Sequence, residues 1–243
     1  MSVDDVPETV TAALADQQVE GQVCLEAGAG VGNTTAGLLA AGAERVYAVT
    51  DDADHAATVR ERVGDENADR VAVIEADLRA TPLATDNVDL VTAHGLCNLL
   101  PPTELDAVTA ELARVATPNG TLVVDDYAVP PTNGAVTRLF ALENAAARVV
   151  DGRPALTFYP PAVLAAVFAA HGWTVERRTT LLDPVPWTEA HLNAHAEVVR
   201  EYAAALPDGI GEPLAAMAED VVSAIGSERT GEMYSLAFRL GDV

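Results

Sequence analysis

Lysine is missing from this 243-residue chain: all fourteen basic residues are arginine, against 37 Asp and Glu, for a formal charge of −23 at pH 7. A nucleoside-triphosphate loop of the form G-x-x-x-x-G-K-[ST] needs that lysine to reach the phosphates, so this class is excluded. Cysteine is nearly absent too. Cys24 and Cys97 lie far apart and imply neither a disulfide framework nor a zinc site. No apolar run approaches the roughly 20 residues of a membrane span, and no membrane role is expected. The opening "MSVDDVPETV" lacks the basic-then-apolar order of a secretory signal, which makes the cytoplasm the expected location. Basic surface is scarce, and a strongly acidic chain argues against a nucleic-acid partner. The acidic residues are dispersed rather than gathered in a tail. Such dispersal suits a high-salt (halophilic) cytoplasm, where a Debye length of about 3 Å at 1 M screens self-repulsion. Under that screening a nucleic-acid partner is not excluded.

What is present is an alternation of strand and helix patterns, which points to an α/β fold with a mostly parallel sheet between helices. Strand patterns fall at 22–26, 45–50, 70–77, 88–94, 121–126 and 173–182, and "EMYSLAFRL" closes the chain with period-two alternation. Helix patterns fall at 5–18 and 34–41 and on the Ala56/Val59/Val63 face. The stripe Leu105, Val108, Leu112 and Val115 ends at a turn, "TPNG". "PPAVLAAVFAAHG" has Pro in its first turn and Gly at its end, as helices prefer. Two further helices carry Leu192/Val199 and Leu214/Val221. The chain reads as one domain, 1–243, with a core over about 20–126 and cap elaborations over about 127–170 and 183–230.

The chemistry starts at "VCLEAGAGVGNTT", residues 23–35, where three glycines follow an apolar run at alternate positions. In the dinucleotide fingerprint G-x-G-x-x-G the third glycine packs helix on strand. Counted from Gly28 and Gly30 that place is Asn33, and the third glycine comes one residue early, at Gly32. The run Glu26, Gly28, Gly30, Gly32 instead resembles the first motif, E/D-x-G-x-G-x-G, of the class I S-adenosylmethionine-dependent methyltransferases. The resemblance covers residues 20 to about 125.

It implies a doubly wound, mostly parallel seven-stranded, Rossmann-like sheet with an antiparallel last strand and helical cap elements. It also implies S-adenosylmethionine as cofactor. The backbone of Gly28, Ala29, Gly30 and Gly32 would approach the cofactor, and Glu26 would orient its amino group. The family's ribose-binding acid at the end of strand two is replaced by Thr50, followed by Asp51, so either could take that contact. Asp77 would accept from the adenine amino group, with Leu78 flanking the ring. The segment "AHGLCNLL" lacks the N/D-P-P-Y/F tetrapeptide of adenine and glutamine-amide methylation and the metal-binding Asp of catechol-type enzymes. No metal is expected. His94 and Asp126, at the ends of strands four and five, are the candidate general bases, and His94 is also a candidate cofactor contact; a structural histidine and a solvated strand end are the alternatives. Tyr127, Phe158 and Tyr159 are candidate acceptor-pocket walls. His195 is placed in the core or the cap seam, and His55, His171 and His191 carry no assignment. Transfer of a methyl group to a small molecule is the leading function. An RNA or protein methyltransferase and a catalytically silent cofactor-binding protein are the alternatives, and a homodimer remains open.

Overall fold

The computed structural model describes residues 5–241. Along the chain run α1 (Glu8–Leu14), β1 (Val23–Ala27), α2 (Asn33–Ala40), β2 (Arg45–Thr50), α3 (Ala53–Val63), β3 (Val71–Glu75), β4 (Val88–His94), α4 (Pro102–Val115) and β5 (Ala116–Tyr127). Then follow α5 (Val136–Val150), α6 (Pro161–Ala169), β6 (Trp173–Leu182), β7 (Pro186–Trp187), α7 (Glu189–Ala204), α8 (Asp208–Ile225), β8 (Glu228–Arg229) and β9 (Met233–Leu240).

Seven strands form one sheet in the order β3-β2-β1-β4-β5-β9-β6. β1 to β5 pair in parallel, and β9 is antiparallel to both neighbours. The expected sheet, including its antiparallel last strand, is the one observed. Its central strands are continuous apolar runs because both faces are covered. On one face Leu105 and Leu112 of α4 and Leu164 and Phe168 of α6 pack onto β4, β5 and β9. On the other, Val10 and Leu14 of α1 meet Leu38 and Leu39 of α2 over Cys24, Val46 and Leu90. A third apolar cluster joins α5, α7 and α8 with Trp187 and Met233, and it forms the cap. Among the described residues no helix is long and apolar enough to cross a membrane, and no group of three or more His, Cys, Asp or Glu could hold a metal.

Three local expectations change. The "TPNG" turn is a bulge inside β5: Val88 pairs with Ala116 and Leu90 with Thr121, so residues 117–120 swell out between them. β3 ends at Glu75, which puts Asp77 in the loop after it. β9 is buried along nearly its whole length rather than on alternate residues, because it lies inside the sheet between β5 and β6. The short β7–β8 ribbon carried no periodicity that two-residue strands could show.

Candidate functional site

In this strand order the chain direction of progression reverses between β1 and β4. The loops leaving those two strands diverge to opposite faces, and ligands of open α/β sheets bind in the crevice so formed. A cavity of about 330 Å³ lies there, lined by Gly28 and Gly30 after β1, Thr50 and Asp51 after β2, Asp77 and Leu78 after β3, and His94 and Gly95 at the end of β4. The volume is within the range of small-ligand sites. Gly28 (φ 77°) and Gly30 (φ 48°) adopt left-handed backbone, which side chains with a Cβ resist. The Gly28 and Ala29 N–H groups donate to Val49 O at 3.0 and 2.9 Å, fixing the loop against β2. A Cβ on Gly28 would sit 2.9 Å from Leu96 Cδ1, whereas one on Gly30 would meet nothing nearer than 4.0 Å. Space beside Gly30 is therefore open to a ligand. Ala29 and Gly32 do not line the cavity; Gly32 is the N-cap of α2.

Glu26 lies elsewhere than expected. It is buried, and its carboxylate accepts from Thr34 N (3.2 Å) and Thr35 N (2.9 Å), and from the Thr35 hydroxyl. α2 has no side-chain cap of its own, so its first N–H groups need an acceptor, and a carboxylate also suits the positive helix end. Burial pushes the Glu26 carboxyl up to about 7 despite these bonds. The consequence bears on ligand class. A dinucleotide site offers its helix N-terminus to a pyrophosphate; here Glu26 already occupies it. The arrangement fits a cofactor without phosphate.

At the other strand ends, Thr50 is buried and its hydroxyl accepts from Asp52 N at 3.2 Å. Asp52 caps α3 through His55 N at 2.8 Å. Asp51 is exposed, lines the cavity and makes no hydrogen bond among the described residues. Asp77 is paired with Arg79, Oδ2 to Nη2 at 2.6 Å, and this bonding lowers its pKa. Arg79 reaches Glu104 at 3.9 Å, and Arg153 reaches the same carboxylate at 3.6 Å. The α4 start and the loop after α5 are thereby tied across the cavity rim.

His94 lines the cavity, and its Nδ1 meets Asp125 Oδ2 at 3.0 Å. The two residues are register partners on β4 and β5, so the sheet itself brings them together. Asp125 Oδ1 is buried without a partner among the described residues. Asp126, the other candidate base, is not in this cavity. Neighbouring side chains on a strand alternate faces, and Asp126 turns to Asn98, accepting from its backbone N (2.9 Å) and its Nδ2 (2.8 Å). Burial raises the Asp126 carboxyl to about 6. Asn98 in turn lines a second cavity, of about 140 Å³, with Tyr127, Phe140, Phe158 and Trp187 among its walls. Tyr159 instead belongs to the core, its hydroxyl bonded to Leu100 O at 2.8 Å. His195 lies in the cap seam, bonded to Glu143 at 2.7 Å.

Several lining residues had no sequence signal. Arg79, Glu104 and Arg153 come from three separate segments, and Asn98 sits in a turn without a recognisable motif. His55, unassigned from sequence, also lines the first cavity.

Residues 24–120 match the family described as "Methyltransferase domain". A demethylmenaquinone methyltransferase of Clavibacter sepedonicus is 36% identical over 115 residues, which cover 46% of this chain and 44% of that protein. The chain thus aligns with less than half the length of that relative. A putative methyltransferase structure from Bacillus halodurans superposes with a TM-score of 0.66 over 96% of this chain and 99% of that one, at 13% identity. The geranyl diphosphate C-methyltransferase of Streptomyces coelicolor, solved with Mg²⁺, geranyl diphosphate and S-adenosyl-L-homocysteine, gives 0.62 over 95% and 77%, at 15% identity. The glycine loop, the strand order and the phosphate-free helix end agree with the methyltransferase-domain match over residues 24–120, and the sheet has the fold of the class I S-adenosylmethionine-dependent methyltransferases.

Proposed function

We propose that the chain transfers a methyl group to a small-molecule acceptor by in-line displacement. The observation that carries this reading is the crevice between β1 and β4, with open glycine backbone on one wall and the α2 N-terminus already closed by Glu26. S-adenosylmethionine supplies a methyl group activated on a sulfonium. Gly28 and Gly30 bring backbone against the methionine part, Asp51 takes the ribose hydroxyls, and Asp77 with Leu78 takes the adenine. Asp51 is the better ribose acceptor because it is an exposed carboxylate on the cavity, whereas Thr50 is buried and one lone pair of its hydroxyl already accepts from Asp52 N.

His94, on the wall of the cofactor crevice, is the base for an acceptor group that reaches into that crevice. Asp125, on the adjacent strand, holds Nδ1 and leaves Nε2 for the work, the arrangement that fixes a histidine tautomer. Asp126 serves differently: it positions Asn98 at the second cavity. The confined second cavity, about 140 Å³, favours a small acceptor over RNA or protein. Holding that acceptor in line contributes on the order of 7–11 kcal/mol in well-oriented reactions. The dispersed acidic surface supports a cytoplasmic setting of high salt, and sedimentation in molar KCl distinguishes monomer from homodimer.

Two measurements test the reading. Calorimetry should show binding of S-adenosylmethionine and none of NAD; the reverse would refute it. Incubation of cell metabolites with methyl-labelled cofactor should label a small molecule, and Asp125→Asn should lower kcat by about 100-fold, the lower end of general-base contributions, at unchanged cofactor affinity. Binding without any label transfer would instead favour a silent cofactor-binding protein.

A further inference from the structure

We propose that the cavity beneath the cap binds a compact organic ammonium group. On the methyl-transfer reading this points to amines as the acceptor class: the ammonium gives up its N–H proton, the freed lone pair forms the N–C bond as the C–S bond of the sulfonium breaks, and S-adenosylhomocysteine leaves, while a fully alkylated nitrogen binds without reacting. The acceptor half rests on the methyl-transfer reading; the binding half does not.

The chain has only 4 Phe, 2 Trp and 5 Tyr, yet four of these rings border a space of about 140 Å³. They come from four separate places: Tyr127 ends β5, Phe140 is on α5, Phe158 precedes α6 and Trp187 is in β7. Tyr127 and Trp187 lie 5.2 Å apart by ring centroid, as do Phe140 and Phe158, and Phe140 meets Trp187 edge-on at the same distance. An apolar cavity of about 150 Å³ holds one benzene-sized group, so this one admits a single ring or a fully alkylated nitrogen.

The polar atoms decide between those two. Asn98 donates through Nδ2 to Asp126 Oδ1 and Gly95 O, which leaves its amide oxygen, an acceptor, without a partner among the described residues. His195 is bonded to the buried Glu143, which sets a carboxyl group directly behind it. His191, tied through Nδ1 to Thr188 and Pro186 O, is exposed on the first turn of α7. None of the fourteen arginines borders the cavity. Acceptor oxygen, ring π-systems and two carboxylates one residue behind the wall favour a cation. An anion would face all of them without an arginine to pair with, and a neutral ring without a donor would leave the acceptor unused.

The test uses choline and its uncharged isostere, 3,3-dimethylbutan-1-ol, with phenol and benzoate as competitors. Binding is read by tryptophan fluorescence, since Trp187 lines the cavity while Trp173 is sealed in the sheet core, and by calorimetry. Choline is expected to bind about tenfold more tightly than the alcohol, and Trp187→Leu to reduce that preference to about twofold, with folding checked by circular dichroism. Phe158→Leu, at a half-buried loop position, provides a second variant should Trp187→Leu not fold. Equal affinity for choline and the alcohol, or tighter binding of phenol or benzoate, would overturn the proposal. S-adenosylmethionine is titrated separately. Choline binding without cofactor binding would sink the methyl-transfer reading and spare the cation site; cofactor binding without choline binding would do the opposite.

Discussion

Replacing Glu26 by Gln keeps the shape of the side chain and removes its charge. The carboxylate accepts from two backbone N–H groups and one hydroxyl. A Gln amide has one oxygen, so its NH₂ must face at least one of those donors. One buried N–H left without an acceptor costs about 1–3 kcal/mol. Charge acts the other way. Burial lifts the folded-state pKa from 4.5 to about 7, so between these pH values the folded protein keeps a proton that the unfolded chain has released. Stability therefore falls as pH rises across that window, by about 3 kcal/mol in all. The Gln variant has no such group. Urea unfolding across this pH range should find wild type the more stable protein at the acid end, with its lead shrinking to nothing or reversing at the neutral end. Taking the difference between the two proteins cancels other titrating groups. Parallel curves would refute the reasoning, because they would mean that the three hydrogen bonds outweigh desolvation. Since Glu26 lies outside the cavity, cofactor affinity should barely change; a loss of about tenfold, or 1.4 kcal/mol, would return Glu26 to direct contact.

Asp51→Asn should weaken cofactor binding about tenfold or more, the worth of a charge-assisted hydrogen bond, while Thr50→Val stays within about threefold, both by calorimetry. Arg79→Ala breaks a half-exposed ion pair and should change stability by less than about 1 kcal/mol. It also frees the Asp77 carboxylate, so cofactor affinity should hold or rise; a fall would assign the arginine itself to the cofactor. Asp126→Ala strands the Asn98 and Tyr127 donors and should cost at least about 1–3 kcal/mol in denaturant unfolding. Leu164→Ala, fully buried between α6 and the sheet, should cost about 2–5 kcal/mol, and since Leu164 lines neither cavity ligand affinity should hold within about threefold.

Local pattern carried far in this chain. Strands β2 and β4 begin and end where their apolar runs do, because parallel interior strands bury both faces; β6 also spans its expected residues, but as a mostly exposed antiparallel edge strand. The glycine loop was equally legible, since left-handed backbone at Gly28 and Gly30 restricts which residues can stand there. The positions of Asp51, Asp77 and His94 on the crevice followed from their being at strand ends, where a parallel sheet collects its ligand site.

Direction of side chains was another matter. Glu26 and Asp126 stand at strand ends as well, yet one faces a helix terminus and the other a turn holding Asn98. A residue's number along a strand gives its level in the sheet; which unsatisfied donor it meets depends on the element packed opposite. The same holds for the cap, where four rings and Asn98 from five stretches of chain surround one space. By itself the sequence determined the sheet, the loop and the cofactor class, all written in contiguous residues. Only the tertiary structure decided which carboxylates are spent on structure, which remain for ligands, and what the cavity beneath the cap is made of, because those depend on contacts between residues distant in the chain.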